Sequence, residues 1–371
     1  MISRLDRVVM RDTAWTALIA VLGTTFLFTA LGLYQIVNRF EVTPRFATLL
    51  SFAPSLWISL LPFSLPVSVL FAACLVFGRM RAERELLLIA ASGVPPWRPF
   101  FGLAPIGLLA ALACAVVVSE FGPQAYVERH GLQRKALADF IDHPPQGPRE
   151  LRFPGSGTSM DISYARVDGG AFESLSVMVY TDDGLRASLT ADRARITYQR
   201  QSGMMLLTAC EQPRLIEFDP LQGNPIGTPL AADRINELRV PFDFGSDEEP
   251  DAPKAMRTAA LLDRVSQEHD QGTERGAASE LARRIGLSGA SLLLPLLGAL
   301  LAALVSHPNR LFAVAAGVIP SALLYFPVLI ACQNLTEKSN LPWPVAAAAP
   351  MVLTAIACAM VLRVHWRASW A

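Results

Sequence analysis

Apolar positions along this chain are gathered into long runs, and the polar positions are concentrated between them. Six runs stand out, at about Thr13 to Val37, Pro54 to Gly78, Phe100 to Ser119, Ile285 to Val305, Leu311 to Cys332 and Trp343 to Leu362. Each has the length and low charge of a bilayer-crossing helix, which needs about 20 mainly apolar residues. The first follows a basic, amphipathic stretch, MISRLDRVVMRD, that carries Arg4, Arg7 and Arg11. Those flanks resemble a signal peptide, but the apolar part is too long and no small-residue cleavage site follows, so a retained transmembrane helix is expected. Three spans precede a polar middle and three follow it. Prolines 62, 66, 295, 320 and 327 fall inside the spans. They predict bent helices whose freed carbonyls are covered by neighbours.

The middle has a different period. After PQAYVERHGLQRKALADFI, which reads as a helical extension, the turn-rich HPPQGP changes the character of the chain. Short β-type runs follow at Met160 to Tyr164, Leu175 to Tyr180, Arg186 to Thr190, Arg195 to Tyr198, Met204 to Thr208, Leu215 to Phe218 and Ile235 to Val240. Asp168-Gly169-Gly170, Asp183-Gly184, Ser202-Gly203 and Pro220 to Gly223 punctuate them. This spacing predicts an all-β sandwich or jelly roll over about 151–244. GSDEEPDAP is expected to be a linker and AALLDRVSQEHDQ an amphipathic helix leading back to the apolar spans. The expected division is 1–119 for helices one to three, 120–284 for the inserted segment, and 285–371 for helices four to six.

One polar interruption is unlike the rest. The second span carries no ionisable residue until Arg79 and then turns into GRMRAERELLLIAASGVPP. Arg81, Glu83, Arg84 and Glu85 begin a short helix-like segment over about 81–93 in which Leu86, Ile89 and Ala90 form one stripe, closed by Gly93 and Pro95. A short helix in a tight turn, with an apolar stripe and a few charges, suits docking into a groove on another protein. The plainer alternative is a surface helix making weak local ion pairs.

Charge fixes the expected orientation. Lys+Arg and Asp+Glu balance at 32 each, which gives no argument for a nucleic-acid partner. The arginines of the short loops nonetheless fall on one side: Arg4, Arg7 and Arg11, then Arg79, Arg81, Arg84 and Arg98, then Arg310, then Arg363 and Arg367. By the positive-inside rule that side is the cytoplasm, which holds both termini, and the β segment lies outside it. Arg39, Arg45, Arg283 and Arg284 flank spans on the opposite side, where positive charge is usually scarce. As a group they read as a rim for the head of an anionic, phosphorylated amphiphile. Taken singly, each reads more readily as an arginine snorkelling to lipid headgroups.

Catalytic chemistry is absent from the pattern. There is no GxxxxGK[ST], HExxH or GxSxG, and the five histidines are scattered. No metal or other cofactor is expected. Cysteines 74, 114, 332 and 358 lie in or beside apolar spans and Cys210 lies in the middle, with no CxxC pair. Two non-catalytic alternatives stay open on residues alone. One is a membrane-anchored structural or receptor protein whose β domain binds a partner. The other is a secondary transporter, for which the spans hold few ion-coupling groups.

Residues 60–94, LLPFSLPVSVLFAACLVFGRMRAERELLLIAASGV, resemble the second helix and coupling helix of the LptF/LptG permeases of the lipopolysaccharide-export ABC transporter. Shared are a proline-bearing apolar run, a glycine near its end, an acidic residue, an apolar run and a small-small-Gly close. Glu85 and Ala91-Ser92-Gly93 occupy the last positions. ERGAASELARRIGLSGASLLLPL, residues 274–296, is similar to the start of that family's fourth helix, and the likeness is somewhat closer to LptF than to LptG. The resemblance implies a non-catalytic permease in the bacterial inner membrane, paired with a second LptF/LptG-type permease on a dimeric cytoplasmic ABC ATPase. Lipopolysaccharide would be extracted and handed, by a periplasmic β jelly roll, to bridge proteins of similar fold that serve the outer membrane. It implies that Glu85 contacts the ATPase, within a segment that includes Arg81, Arg84, Leu86, Ile89 and Gly93. Arg84 stands where the family often has a small polar residue. Interior β positions Ile162, Val177, Val179, Ile196 and Leu206 suit either a greasy groove or a module's own core.

Overall fold

In the computed structural model, residues 4–40, 46–95, 97–128, 131, 147, 149–154, 158–181, 184–199, 204–219, 224–243, 252–271, 276–305, 310–339 and 341–368 are described. The chain divides into two compact units. One comprises Met1–Thr29, Leu56–Tyr126 and Ala252–Ala371, and the other Ala30–Ser55 and Val127–Asp251.

The first unit is helical. Its elements are α1 (Arg4–Phe40), α2 (Phe46–Ala82), a short α3 (Glu85–Ala91), α4 (Ala104–Val116), α5 (Thr258–Gln271), α6 (Gly276–Leu304), α7 (Arg310–Ser339) and α8 (Trp343–Ala368). α1 and α2 continue into the second unit. A 3-10 turn, Arg98–Leu103, leads into α4, and a π turn, Val117–Phe121, carries it on. Among the described residues six helical stretches are long and apolar enough to cross a membrane: Asp6–Gln35, Ala53–Ala82, Arg98–Glu128, Gly276–Leu304, Leu311–Lys338 and Trp343–His365. They cover the six expected spans except for Ile36, Val37 and Val305 and elsewhere extend beyond them, because helical hydrogen bonding does not stop where hydropathy falls. The expected extension after the third span is helical as far as Glu128, and most of 129–148 lies outside the described residues. The linker GSDEEPDAP also lies mostly outside them.

α6 is the hub of this unit. In its most apolar stretch 67% of residues are buried, against 11% for α1. Small residues permit the close approach. A Cβ on Gly317 of α7 would stand 2.6 Å from the Gly298 carbonyl of α6 and 2.6 Å from Cys74 Sγ of α2. Gly107 of α4 lies against the Leu292 backbone in the same manner. Such packing replaces the hydrophobic drive that lipid removes. Hydroxyl pairs add to it, with Thr24 on Ser68 at 2.7 Å and Thr25 on Ser64 at 2.8 Å between α1 and α2. Pro66 leaves the carbonyl of Pro62 without its intrahelical donor. The Cys114 thiol of α4 donates to that oxygen at 3.7 Å.

Among its described residues the second unit holds nine strands: β1 (Arg149–Pro154), β2 (Thr158–Tyr164), β3 (Arg166–Asp168), β4 (Ala171–Thr181), β5 (Gly184–Gln199), β6 (Met204–Glu211), β7 (Arg214–Phe218), β8 (Pro225–Ala231) and β9 (Arg234–Asp243). The main path runs β1-β2-β4-β5-β6-β9, with β3 on β4 and with β7 joining β5 to β8. Every pairing is antiparallel. Two expected runs, Arg186 to Thr190 and Arg195 to Tyr198, are one 16-residue strand. The polar residues that separate them in sequence mark an irregularity within the ladder, not a loop. Ile162, Val177, Val179 and Ile196 sit in a buried cluster with Met160, Phe172 and Leu207, so they form the module's core. The side chain of Leu206 lies outside the described residues.

Candidate functional site

α2 ends on a charged turn. Arg79 and Arg81 occupy its last turn, where cations complement the helix dipole. The chain then turns at Glu83 and Arg84, and Arg84 adopts φ 62° and ψ 14°. That left-handed conformation costs a side-chain-bearing residue about 1–2 kcal/mol. It restarts the chain in a new direction, so the short helix begins at Glu85 and not at Arg81. Glu85 thereby falls in the first turn of α3, where a carboxylate is favoured by the dipole. The far end closes through Gly93 at φ 80°, whose N–H donates to the Ala90 carbonyl at 3.0 Å. Glycine is favoured there because it takes the left-handed conformation without the steric cost that Arg84 bears.

Leu86 and Ile89 face inward against Val9, Val76, Phe77, Met80 and Phe100, as their spacing predicts. Ala90 is exposed, which corrects its place in the stripe. Leu87 and Leu88, not singled out in the sequence, are 51% and 69% exposed. A run of three leucines and an isoleucine holds more apolar residues than one stripe uses, and that excess was the available signal. Beneath α3 a groove of about 290 Å³ opens between α1, α2 and α3, with Glu85, Leu88, Val8, Met80 and Arg79 on its walls. Asp12 and Arg79, both on its lining, form an ion pair that the sequence pattern does not reveal, Arg79 Nη2 to Asp12 Oδ2 at 2.9 Å. Asp12 was legible only as one of two acids, with Asp6, among the arginines that precede the first span.

The four arginines of the expected basic rim divide sharply. Arg45 and the side chain of Arg39 lie outside the described residues. Arg283 and Arg284 both bind Glu280, one helical turn earlier. Arg283 donates through Nε to Oε2 at 2.8 Å and through Nη2 to Oε1 at 2.6 Å, and Arg284 donates through Nε to Oε1 at 2.9 Å. Arg284 also donates through Nη1 to Thr258 Oγ1 and through Nη2 to the Met256 carbonyl, both at 2.9 Å. It therefore ties the start of α6 to the start of α5 and the 3-10 turn Pro253–Ala255 that precedes it. Glu280 and Arg284 are 5% and 4% exposed, so this cluster is closed to solvent. The side chain of Arg283 is 26% exposed and its guanidinium lies 5.9 Å from the Phe63 ring. Of this pair, Arg283 is the one with solvent access. Among the described residues no group of three or more His, Cys, Asp or Glu is placed to hold a metal ion.

The comparison with known families bears on the whole chain. The family model for the lipopolysaccharide export system permease LptF/LptG matches residues 7–364. The chain belongs to the LptF/LptG family. LptF/LptG permeases are non-catalytic, multi-pass components of the inner membrane, and this chain's six apolar helices and antiparallel sheet are compatible with that class. Membership implies association with other components of the lipopolysaccharide export system, such as an ATPase and a partner permease. No individually curated protein matches the chain.

Proposed function

We propose that this LptF/LptG chain is the permease subunit of an ATP-driven exporter that extracts lipopolysaccharide, or a related anionic glycolipid, from the inner membrane and passes it to a periplasmic bridge. The observation that carries the reading is the family match over residues 7–364. The arginine bias puts the α2–α3 turn and both termini in the cytoplasm and the β module, a jelly roll within 120–284, in the periplasm. In this reading α3 is the coupling helix for a dimeric ABC ATPase. Leu87 and Leu88 supply the apolar contact, Glu85 the charged one, and Arg81 and Arg84 its basic flank, while Leu86, Ile89 and Gly93 hold the helix in place. A second permease of the same family completes the membrane cavity, and this chain takes the LptF-like part. Arg283, with Arg39 and Arg45, meets the anionic head of the lipid.

The test is co-purification in mild detergent with the soluble ATPase and the second permease. Glu85→Arg should abolish retention of the ATPase and lipid-stimulated ATP hydrolysis while the helical unit stays folded. Full retention and stimulation in that variant would remove α3 from the coupling role.

A further inference from the structure

The β module contains a second feature that its core does not use. In β4 the buried positions are Phe172, then Leu175, Val177 and Val179, so the inward rhythm slips by one residue at Glu173 and Ser174. The same slip occurs in β5, where Ala187, Leu189 and Ala191 are buried and the next buried residue is Ala194. The register is the same on both sides of the slip, Glu173↔Arg193 and Leu175↔Ala191, so Ser174 and Asp192 stand opposite each other and both strands change facing at one level. A bend shared by neighbouring strands is one way in which a sheet turns a corner. β5 changes partner there as well, pairing Thr190 with Arg214 of β7 on one side and Arg193 with Glu211 of β6 on the other.

A depression of about 330 Å³ opens at this corner. Ser174, Ser176, Thr190, Asp192, Gln212 and Arg214 line it. The buried Leu175 and Ala191 contribute to the same site. Two of its residues, Ser174 at φ 51° and Gln212 at φ 49°, hold the left-handed conformation that non-glycine residues avoid. Convergence of two such residues on one polar site points to function more than to folding. The Gln212 conformation is held by its N–H, which donates to the Asp233 carbonyl at 3.0 Å.

The chemistry is that of a sugar site. Hydroxyl and amide groups that both donate and accept match the hydroxyls of a glycan, and a carboxylate accepts from two neighbouring hydroxyls. One guanidinium pairs with a phosphate or carboxylate substituent. The volume is at the small end for a ligand site, which suits one or two monosaccharides. We propose that this corner of the β module is a subsite for the phosphorylated sugar portion of the exported glycolipid, with Arg214 on the anion and Asp192 on ring hydroxyls. The assignment rests on the exporter reading and adds to it a polar handhold for the head group.

The test uses the full chain in lipid nanodiscs and deacylated lipopolysaccharide as probe, followed by saturation-transfer NMR and titration. Dephosphorylated glycan and inorganic phosphate are run alongside. Arg214→Gln should weaken the phosphorylated glycan about tenfold and leave the dephosphorylated one unchanged, as expected for one charge-assisted contact. Asp192→Asn should weaken both, and Ser176→Ala, the mildest change, should weaken both to a smaller degree. Retention of the far-UV strand signal certifies each variant as folded. Equal binding by all variants, or binding of inorganic phosphate as tight as the glycan, overturns the subsite. Should the wild-type chain ignore the deacylated probe while intact lipopolysaccharide still stimulates the ATPase, the subsite falls and the exporter reading stands. If intact lipopolysaccharide has no effect either, both fall.

Discussion

Glu280→Ala is the most informative single change in the helical unit. The carboxylate accepts three arginine N–H groups, from Arg283 Nε, Arg283 Nη2 and Arg284 Nε. Its removal leaves Arg284 buried at 4% exposure without a counter-charge. Breaking a buried ion pair from one side costs about 3–5 kcal/mol. Arg283 relaxes toward solvent through its 26% exposed side chain, so its share is largely discounted and the lower end applies. At about 2–4 °C per kcal/mol for a unit of this size, the loss is about 6–12 °C in the melting point of the detergent-solubilised chain. Size-exclusion detection of monodisperse protein after heating reads this directly. The charge-free double variant Glu280→Leu with Arg284→Met should recover at least half of the loss, since an apolar pair of similar volume replaces a buried ion pair at little cost. Melting of Glu280→Ala within about 2 °C of the parent, or a double variant no better than the single one, would refute the buried-charge reasoning.

Three further outcomes are expected. Gly317→Ala places a Cβ 2.6 Å from a backbone carbonyl of α6, which side-chain movement cannot relieve, so a loss of about 1–3 kcal/mol should show in the same heating assay. Burial pushes the Cys210 thiol up from its ordinary value. Cys210 should therefore resist a water-soluble maleimide at neutral pH until the β module unfolds. The sign follows from linkage: the folded state keeps the proton longer, so this contribution is intact below the ordinary thiol range and is lost as pH rises above it. Glu85→Arg should leave the heating curve of the helical unit nearly unchanged, because Glu85 touches a surface groove and not the core.

The six spans were legible because lipid imposes a minimum apolar length that few other structures mimic. The β module was legible as alternation and turn residues, yet β5 was split in two. Its Asp192 and Arg193 are both exposed between buried Ala191 and Ala194, and such a slip re-phases the alternation in the way a loop would. Within the α2–α3 turn, the inward pair Leu86 and Ile89 followed from spacing. Arg84 did not, since a left-handed arginine carries none of the glycine signal that marks such a turn. Arg284 shows a different limit. Glu280 stands one helical turn earlier in the sequence, whereas Thr258 and the Met256 carbonyl are brought to Arg284 only by the return of α5 onto α6. Counting arginines near a span gives their number at an interface and says nothing of which are already engaged.

The thiol of Cys114 on the Pro62 carbonyl has a consequence for biosynthesis. While α2 is alone in the bilayer, the oxygen released by Pro66 has no donor, and an unsatisfied carbonyl in hydrocarbon is costly. Its donor arrives with α4, well before the second half of the chain has been translated. The same early segment already carries the α1–α2 hydroxyl pairs at Thr24 and Thr25. The nascent chain thus holds the means to join its first three spans while the ribosome is still making the sheet.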